Sequence, residues 1–361
     1  MGVCIGCYFT VVPLFITELS PKSIAGPLGV VTQFLRMIAI LIAVSIGFMV
    51  PYASDEEAKT TQIWRYIFGL PILFSMIQLA LFMIIFTHDT PTFYELTNQQ
   101  EMYQKAMSRL YKNQKFVAVM ASLLDEQTVN IAPKKVDLGW GELFSYPNRK
   151  PLIVGLLLGT FHQTTGIMFI TFFSNDIFSA GQTGPSGEFS ARVGTFGTGI
   201  AGVLAAIAAF MFARQYGRKT ILLIGEIVMC LLLAFLTHCA MTNQQTYTIV
   251  GIVMFVFVFN ATFGAILWLY VSEILGAKGI SLVAFINLSF TVIIGCGGNL
   301  LFKLLSDSGT YFFLFLMQIV CIYFIYVYVI ETLGHSKDEC KKLYFPEEPK
   351  ELKAKLELSV L

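Results

Sequence analysis

Charge is what this sequence has least of. Of its 361 residues only 13% are charged while 56% are hydrophobic, where a soluble globular domain carries about 25% charged residues. So apolar a chain cannot hide its side chains in a water-soluble core, and its solvent is lipid. A clustered basic face is missing too. The formal net charge is +1, which excludes the electrostatic grip that nucleic acid demands. The seven cysteines form no disulfide framework; Cys4-x-x-Cys7 has a redox-like spacing but sits in an apolar run without a partner pair. No basic segment precedes the first apolar run, so residues 1–19 read as a spanning helix rather than a secretory signal. Met1-Gly2 is followed by Gly6 where a myristoylation motif needs Ser or Thr. The four histidines are scattered, and no metal-ligand or nucleophile constellation appears. Enzyme, metal and cofactor chemistry are therefore not expected.

What the chain does have is long apolar runs. A span needs roughly 20 apolar residues to cross about 30 Å of hydrocarbon. Nine runs qualify, near 2–19, 27–51, 66–87, 151–178, 193–213, 220–241, 247–272, 279–303 and 310–330. They lack the short alternation of barrel strands, and lipid admits only helices or closed barrels. The expected fold is all-α. The polar stretch 88–150 divides three spans (1–87) from six (151–333), and 334–361 is a charged tail, partly disordered. Within the stretch, Met102, Ala106, Met107 and Leu110 recur near helical spacing, which suggests amphipathic helices over 99–126.

Eight matches in order carry a family resemblance across nearly the whole chain. In the first three spans these are Pro13 to Glu18 with Pro21 and Gly26, then Gln33, then Ile63-Trp64-Arg65, then Asp89-Thr90-Pro91. In the last six they are His162-Gln163-Thr-Thr-Gly166 through Phe172-Phe173-Ser174, then Gly217-Arg218-Lys219, then Gly264 to Trp268 with Ser272-Glu273, then Glu331-Thr332-x-Gly334. This set resembles the sugar porters of the major facilitator superfamily. The resemblance implies two six-helix halves rocking around a midplane site, each built from inverted three-helix repeats. It also implies that the first three helices of that fold are lacking here, which leaves about nine. Three readings stay open: an incomplete sequence of a working sugar carrier, a short chain that has lost transport and serves as a scaffold or membrane-complex subunit, and a short chain that transports as an oligomer or with another subunit covering the missing helices.

A neutral sugar presents many hydroxyls, so its site needs side chains that both donate and accept hydrogen bonds, beside an aromatic face. The resemblance places Gln33, His162, Gln163 and Asn287 in the central cavity, with Trp268 as the aromatic wall. The alternative for these amides is hydrogen bonding between helices. Glu18, Asp89, Arg218, Lys219, Glu273, Lys278 and Glu331 are the candidate latch charges that hold one access state; their alternative is anchoring at the membrane face. Several family positions depart from the pattern: Ala25, Met168, Gly202, Asn260 and Leu288 replace polar or aromatic residues, and Phe172 and Phe173 lack hydroxyls. The pocket is thus less polar than a glucose site, and no particular sugar carries over. Arg36 lies three residues after Gln33 on the same helix face. A charge near the centre of a span costs about 2.5–3.5 kcal/mol on the insertion scale. It is either a cavity cation for an acidic solute or a structural residue, paired with Glu226 or snorkelling. Gly197-Thr-Gly199-Ile-Ala-Gly202 matches a dinucleotide fingerprint but lies within a span, so close helix packing accounts for it, as for Gly155 and Gly159.

Basic residues set the orientation. With Lys22 cytoplasmic and sides alternating, nineteen of the 24 Lys and Arg fall on the cytoplasmic side and four on the other, Arg36 being the one left inside a span. The 88–150 stretch and the tail then share the cytoplasm of a plasma or internal membrane, and Met1 lies opposite. Cysteines introduced at positions 112 and 345 are expected to resist a membrane-impermeant thiol reagent in sealed right-side-out vesicles; free labelling there reverses the orientation.

Overall fold

The structure is a computed structural model that describes residues 2–20, 22–48, 50–51, 60–87, 89–110, 140–179, 185–335 and 337–345. Among these the regular elements are helices. Each of the nine apolar runs falls on helix. Seven described helices are long and apolar enough to cross a membrane: Ile63–Ile84, Arg149–Ser174, Ser186–Gln215, Arg218–Met241, Gln245–Ile274, Ala277–Gly298 and Lys303–Tyr328. Val31–Gly47 is a shorter apolar helix, and Gly2–Leu19 is an apolar helix of 18 residues.

The chain forms two compact units. The first comprises 1–29 and 45–138, the second 30–44 and 139–361. The Lys22–Gly47 helix therefore contributes its middle to the second unit. In the first unit the Ile63–Ile84 helix has no buried residue. Its apolar side chains all face outward, as they do where lipid is the solvent. Pro71 inside it removes one backbone donor, and Ser75 Oγ donates to the Pro71 carbonyl at 2.8 Å. Two short helices follow, Pro91–Leu96 and Gln100–Leu110, and pack on one another. Thr90 caps the first of them: its hydroxyl accepts from Phe93 N–H, and Pro91 fills the N1 position that needs no donor. Of the apolar positions singled out in 99–126, Ala106 and Met107 are buried and Leu110 is exposed; residues 111–126 lie outside the described residues.

The second unit is a bundle in which Arg218–Met241 packs on Gln245–Ala261 and on Ala277–Tyr328, Pro185–Gln215 packs on Gln245–Ala261, and Arg149–Thr164 packs on Ala277–Tyr328. Small residues set these approaches. A Cβ at Gly159 would stand 2.9 Å from Val283 Cγ1, and Gly155 faces Leu275 and Val283 as closely. Gly199 meets Leu41 and Gly202 meets Met37. Gly155, Gly159, Gly199 and Gly202 are thus sites of close helix approach, while a Cβ at Gly197 would make only an ordinary contact with Val253.

Three interruptions matter more than the helices around them. Gly166, with φ of 97°, separates Arg149–Thr164 from Ile167–Ser179. That left-handed conformation favours glycine, and a side chain there would also run into Leu314. Thr262 (φ −125°, ψ −93°) separates Gln245–Ala261 from Phe263–Ile274. Ser306 (φ 60°, ψ 176°) divides the 52-residue Ala277–Tyr328 stretch into two spans.

The charged tail begins as folded chain, and the part from 346 on lies outside the described residues. Lys337–Leu343 is a helix, and Cys340 and Tyr344 are buried. The Tyr344 and Tyr270 hydroxyls share a hydrogen bond of 2.5 Å, and Lys150 Nζ donates to the Tyr344 carbonyl. Phe345 meets the Tyr146 ring edge-on with centroids 4.7 Å apart, and Lys150 Nζ lies over its face. Burial, with the Glu273 and Glu339 charges added, pushes the Cys340 thiol up to about 11, which leaves little of the reactive thiolate at neutral pH. In a chain whose only cysteine is Cys340, maleimide labelling at pH 7.5 is expected to be slow. Tyr344→Ala undocks the tail and should speed labelling at least tenfold; equal rates would show that the tail is not held by this contact.

Candidate functional site

Two of the helix breaks in the second unit carry buried polar groups, His162, Gln163 and Thr165 at one and Asn260 and Thr262 at the other. His162 and Gln163 end the Arg149–Thr164 helix just before Gly166, and Asn287 faces them from Ala277–Tyr328. All three are less than 5% exposed. Gln163 Nε2 donates to Asn287 Oδ1 at 2.8 Å. Asn287 Nδ2 donates to the Gly159 carbonyl at 2.9 Å and lies 3.2 Å from His162 Nδ1. An amide nitrogen can only donate, so His162 Nδ1 accepts and its proton sits on Nε2.

The donors and acceptors then sort themselves. Both hydrogens of the Asn287 amide and its oxygen are engaged, so Asn287 organises the cluster. Gln163 Oε1 and His162 Nε2 are buried without a partner. One is an acceptor, the other an N–H donor, and together they offer what a hydroxyl group needs. A buried polar group left unsatisfied costs about 1–3 kcal/mol. Such groups mark a place where a ligand or water belongs.

Aromatic rings wall the imidazole. Phe259 lies 5.0 Å from the His162 ring, Phe263 5.7 Å and Trp268 6.4 Å, centroid to centroid. Trp268 is thus beside the cluster, but Phe259 and Phe263, on either side of the Thr262 break, are nearer. Gln33 does not join the His162 cluster directly. Its Nε2 donates to Asn260 Oδ1 at 2.9 Å, and Asn260 Nδ2 returns a bond to the Val256 carbonyl. Asn260 precedes the same break and neighbours Phe259 in the chain, so the two amide pairs flank one aromatic wall. Gln318 is a further buried amide that the sequence reading passed over. Its Nε2 donates to the Thr165 carbonyl at 3.4 Å and its Oε1 has no partner. A lone amide in the apolar run 310–330 was the available signal.

The pairing of Arg36 with Glu226 does not form. Both Glu226 carboxylate oxygens are buried without a hydrogen-bond partner, and Arg36 Nε is likewise unpartnered. The Cys321 thiol is the side chain that faces Glu226. A separate apolar groove of about 200 Å³ lies between Val31, Phe34, Ala206, Ile207, Phe210 and Met211. Its lining has no group able to read a hydroxyl.

The candidate latch charges fall into separate places. Arg218, Lys219, Glu273 and Glu331 form one network in the second unit. Arg218 Nη2 and Nε donate to Glu273 Oε1 at 2.8 and 3.1 Å, and Thr332 Oγ1 donates to Glu273 Oε2. Glu331 accepts from four backbone N–H groups: Arg218 and Lys219 at the start of the Arg218–Met241 helix, and Thr332 and Leu333 beyond it. Gly217 itself offers no side-chain cap. A carboxylate from a distant part of the chain caps the helix instead, where the helix dipole favours negative charge. Lys219 Nζ reaches the Tyr326 carbonyl. Lys278 stands apart from this network, with its ammonium 5.8 Å from the Trp140 ring centroid. In the first unit, Glu18 Oε2 accepts from Thr90 Oγ1 at 2.6 Å, and the Asp89 N–H donates to the Tyr94 hydroxyl.

A chain of membrane-length helices, broken beside an internal amide cluster and tied at one end by an Arg–Glu network, invites comparison with known carriers. Residues 1–344 match the family described as "Sugar (and other) transporter". The chain belongs to that family. Across 352 residues it is 26% identical to the solute carrier family 2, facilitated glucose transporter member 4 of Homo sapiens, an alignment covering 94% of this chain and 66% of that protein. It is also 26% identical over 354 residues to the glucose transporter GlcP of Staphylococcus epidermidis, covering 94% and 74%. Among solved structures it is similar to the proton:xylose symporter XylE bound to 6-bromo-6-deoxy-D-glucose, with a TM-score of 0.75, 20% identity, and coverage of 95% of this chain and 72% of that one. At that identity the likeness shows the fold alone, the all-α fold of that major facilitator superfamily symporter; with the family match and the membrane-length helices, the chain is a multi-pass integral membrane protein. The chain spans about two thirds to three quarters of the length of these relatives.

The Glu331 cap yields a direct test. A Cβ at Gly217 would fall onto the Glu331 carboxylate, and Glu331→Gln weakens four hydrogen bonds to a charged acceptor. Each of Gly217→Ala and Glu331→Gln is expected to destabilise the purified protein by on the order of 1–3 kcal/mol, seen as a lower unfolding temperature. The double variant should lose clearly less than the sum, because both act on one contact. Additive losses would separate Gly217 from the cap.

Proposed function

We propose that this chain moves a sugar across a membrane by alternating access, with the His162–Gln163–Asn287 cluster as the heart of its binding site and the Arg218–Glu273–Glu331 network as a latch. Membership of the sugar transporter family supports the reading. The observation that carries it is the pair of unpartnered atoms, Gln163 Oε1 and His162 Nε2, held by Asn287 beside a broken helix. Broken helices bring backbone and side-chain polarity to the midplane of carriers, where irregular chain is tolerated when it lines a pathway. A hydroxyl accepting from His162 and donating to Gln163 satisfies both atoms at once, and the Phe259, Phe263 and Trp268 rings give the apolar face of a sugar ring a surface to lie on. Gln33 and Asn260 extend the polar lining on the other side of that wall, and Gln318 on the side of Thr165.

Function of the latch follows from its bonds. Arg218, Glu273 and Thr332 join three segments of the second unit, and Glu331 caps the start of the helix that Arg218 opens. Glu18 with Thr90, and Asp89, are proposed as anchoring groups in the first unit, and Lys278 as one in the second. The proposed arrangement needs no cofactor. The Ile63–Ile84 helix, all of whose side chains face outward, meets lipid or a further membrane subunit.

In cells lacking their own hexose carriers, Gln163→Ala is expected to lower uptake of labelled glucose roughly two- to tenfold at equal surface expression, the range set by one hydrogen bond of about 0.5–1.5 kcal/mol. Leu157→Ala, at an outward-facing position of the same helix, should stay within about twofold. Equal losses would reduce Gln163 to a helix-packing residue.

A further inference from the structure

A cation sits beside the amide cluster, and no described residue answers its charge. Arg36 lies one helical turn beyond Gln33, on the face that carries the Gln33–Asn260 bond. Its Nε is sealed from solvent and has no acceptor. Glu226, the acid that the sequence offers as a partner, leaves both oxygens unpartnered, so it is not the counter-ion. Asn260 follows Phe259 in the chain, and the Phe259 ring lies 5.0 Å from that of His162, so the Gln33–Asn260 bond ties the face that bears Arg36 to the wall of the His162 cluster. A guanidinium in a low-dielectric interior is stable only with an anion or dense hydration. Its edge, Nε with a terminal nitrogen, presents two parallel donors that match a carboxylate.

We propose that the sugar accepted by this site carries a carboxylate, a hexuronic acid or a similar sugar acid, with its carboxylate on Arg36 and its hydroxyls on His162 and Gln163. The inference rests on the transport reading above and names the substrate class of the same site. A neutral hexose would leave the Arg36 charge without a partner. A sugar phosphate carries about −1.5 to −2 charges, more than the one guanidinium at the cluster balances. A monoanion fits. The apolar departures at Phe172, Phe173, Met168 and Leu288 agree, since discrimination then comes from the buried ion pair rather than from a full ring of hydroxyl partners.

The test is equilibrium binding of radiolabelled D-glucuronate, D-glucose and D-glucose 6-phosphate to the purified full chain in lipid nanodiscs. Glucuronate is expected to bind at least tenfold more tightly than either of the others. Arg36→Gln should weaken glucuronate at least tenfold, and Arg36→Lys, which keeps the charge but not the fork, should weaken it less. Gel filtration reports whether each variant is folded; where Arg36→Gln is not, the wild-type preference and the Arg36→Lys value decide. Glucuronate binding no tighter than glucose, tightest binding by the phosphate, or glucuronate affinity indifferent to a folded Arg36→Gln would each overturn the assignment. Glucose binding without glucuronate binding would overturn it and leave the transport reading standing. Binding of neither sugar would overturn both.

Discussion

Lipid makes no hydrogen bonds, and that constraint shapes every polar feature of this chain. Backbone groups turn inward into helices because nothing outside can satisfy them. Polar side chains inside the spans must then find one another or a carbonyl. Gln33 finds Asn260, Gln163 finds Asn287, and Gln318 finds the carbonyl freed near the Gly166 break. Serines and threonines along the spans return their hydroxyls to the carbonyl a turn earlier, as Thr171, Thr237 and Thr248 do. Groups that obey the rule hold the bundle together. The few described atoms that do not, Gln163 Oε1, His162 Nε2, Arg36 Nε, Gln318 Oε1 and the Glu226 carboxylate oxygens, are the ones that chemistry could use.

At the membrane face the rule relaxes and charge takes over. The Glu331 carboxylate gathers four backbone donors, two of them at the start of a helix more than a hundred residues earlier in the chain. Gly217 keeps that approach open by lacking a side chain. The Arg218–Glu273 pair and Thr332 close the same cluster from another side. Stability at this end is thus concentrated in a few exchangeable contacts. A switch between access states needs contacts of that kind, because a carboxylate can trade partners without exposing an apolar core.

Much of this was legible in the sequence, for physical reasons. Long apolar runs declare spans, because few other structures tolerate them, and each run lies on helix. Gly217-Arg218-Lys219 and Glu331 declared a charged corner, since such residues are too costly elsewhere in lipid. The amides of Gln33, Gln163 and Asn287 stood out as polar letters in apolar text. Partners were harder to read. A period of 3.6 puts Arg36 and Gln33 on one face but cannot say that Asn260 meets one and that Glu226 misses the other, because side-chain pairing between spans is set by tilt and rotation. Gln318 escaped notice for the same reason, being unremarkable until Thr165 is brought beside it. Nor does a charged tail announce that Tyr344 will reach Tyr270; composition measures solubility, and docking depends on two side chains.

The Ser306 interruption has a mechanical meaning. Two spans, each more than 20 residues long, follow one another with a single non-helical residue between their helices. A flexible loop would let the two slide independently, and so short a joint does not. The first carries Asn287 and the second Gln318, and both bond to the chain just before the Gly166 break, one to Gln163 and the other to the Thr165 carbonyl. The two spans grip the broken helix like the arms of one pair of tongs with a stiff hinge. Any shift of the chain at Gln163–Thr165 is therefore felt by both spans, through one contact on each.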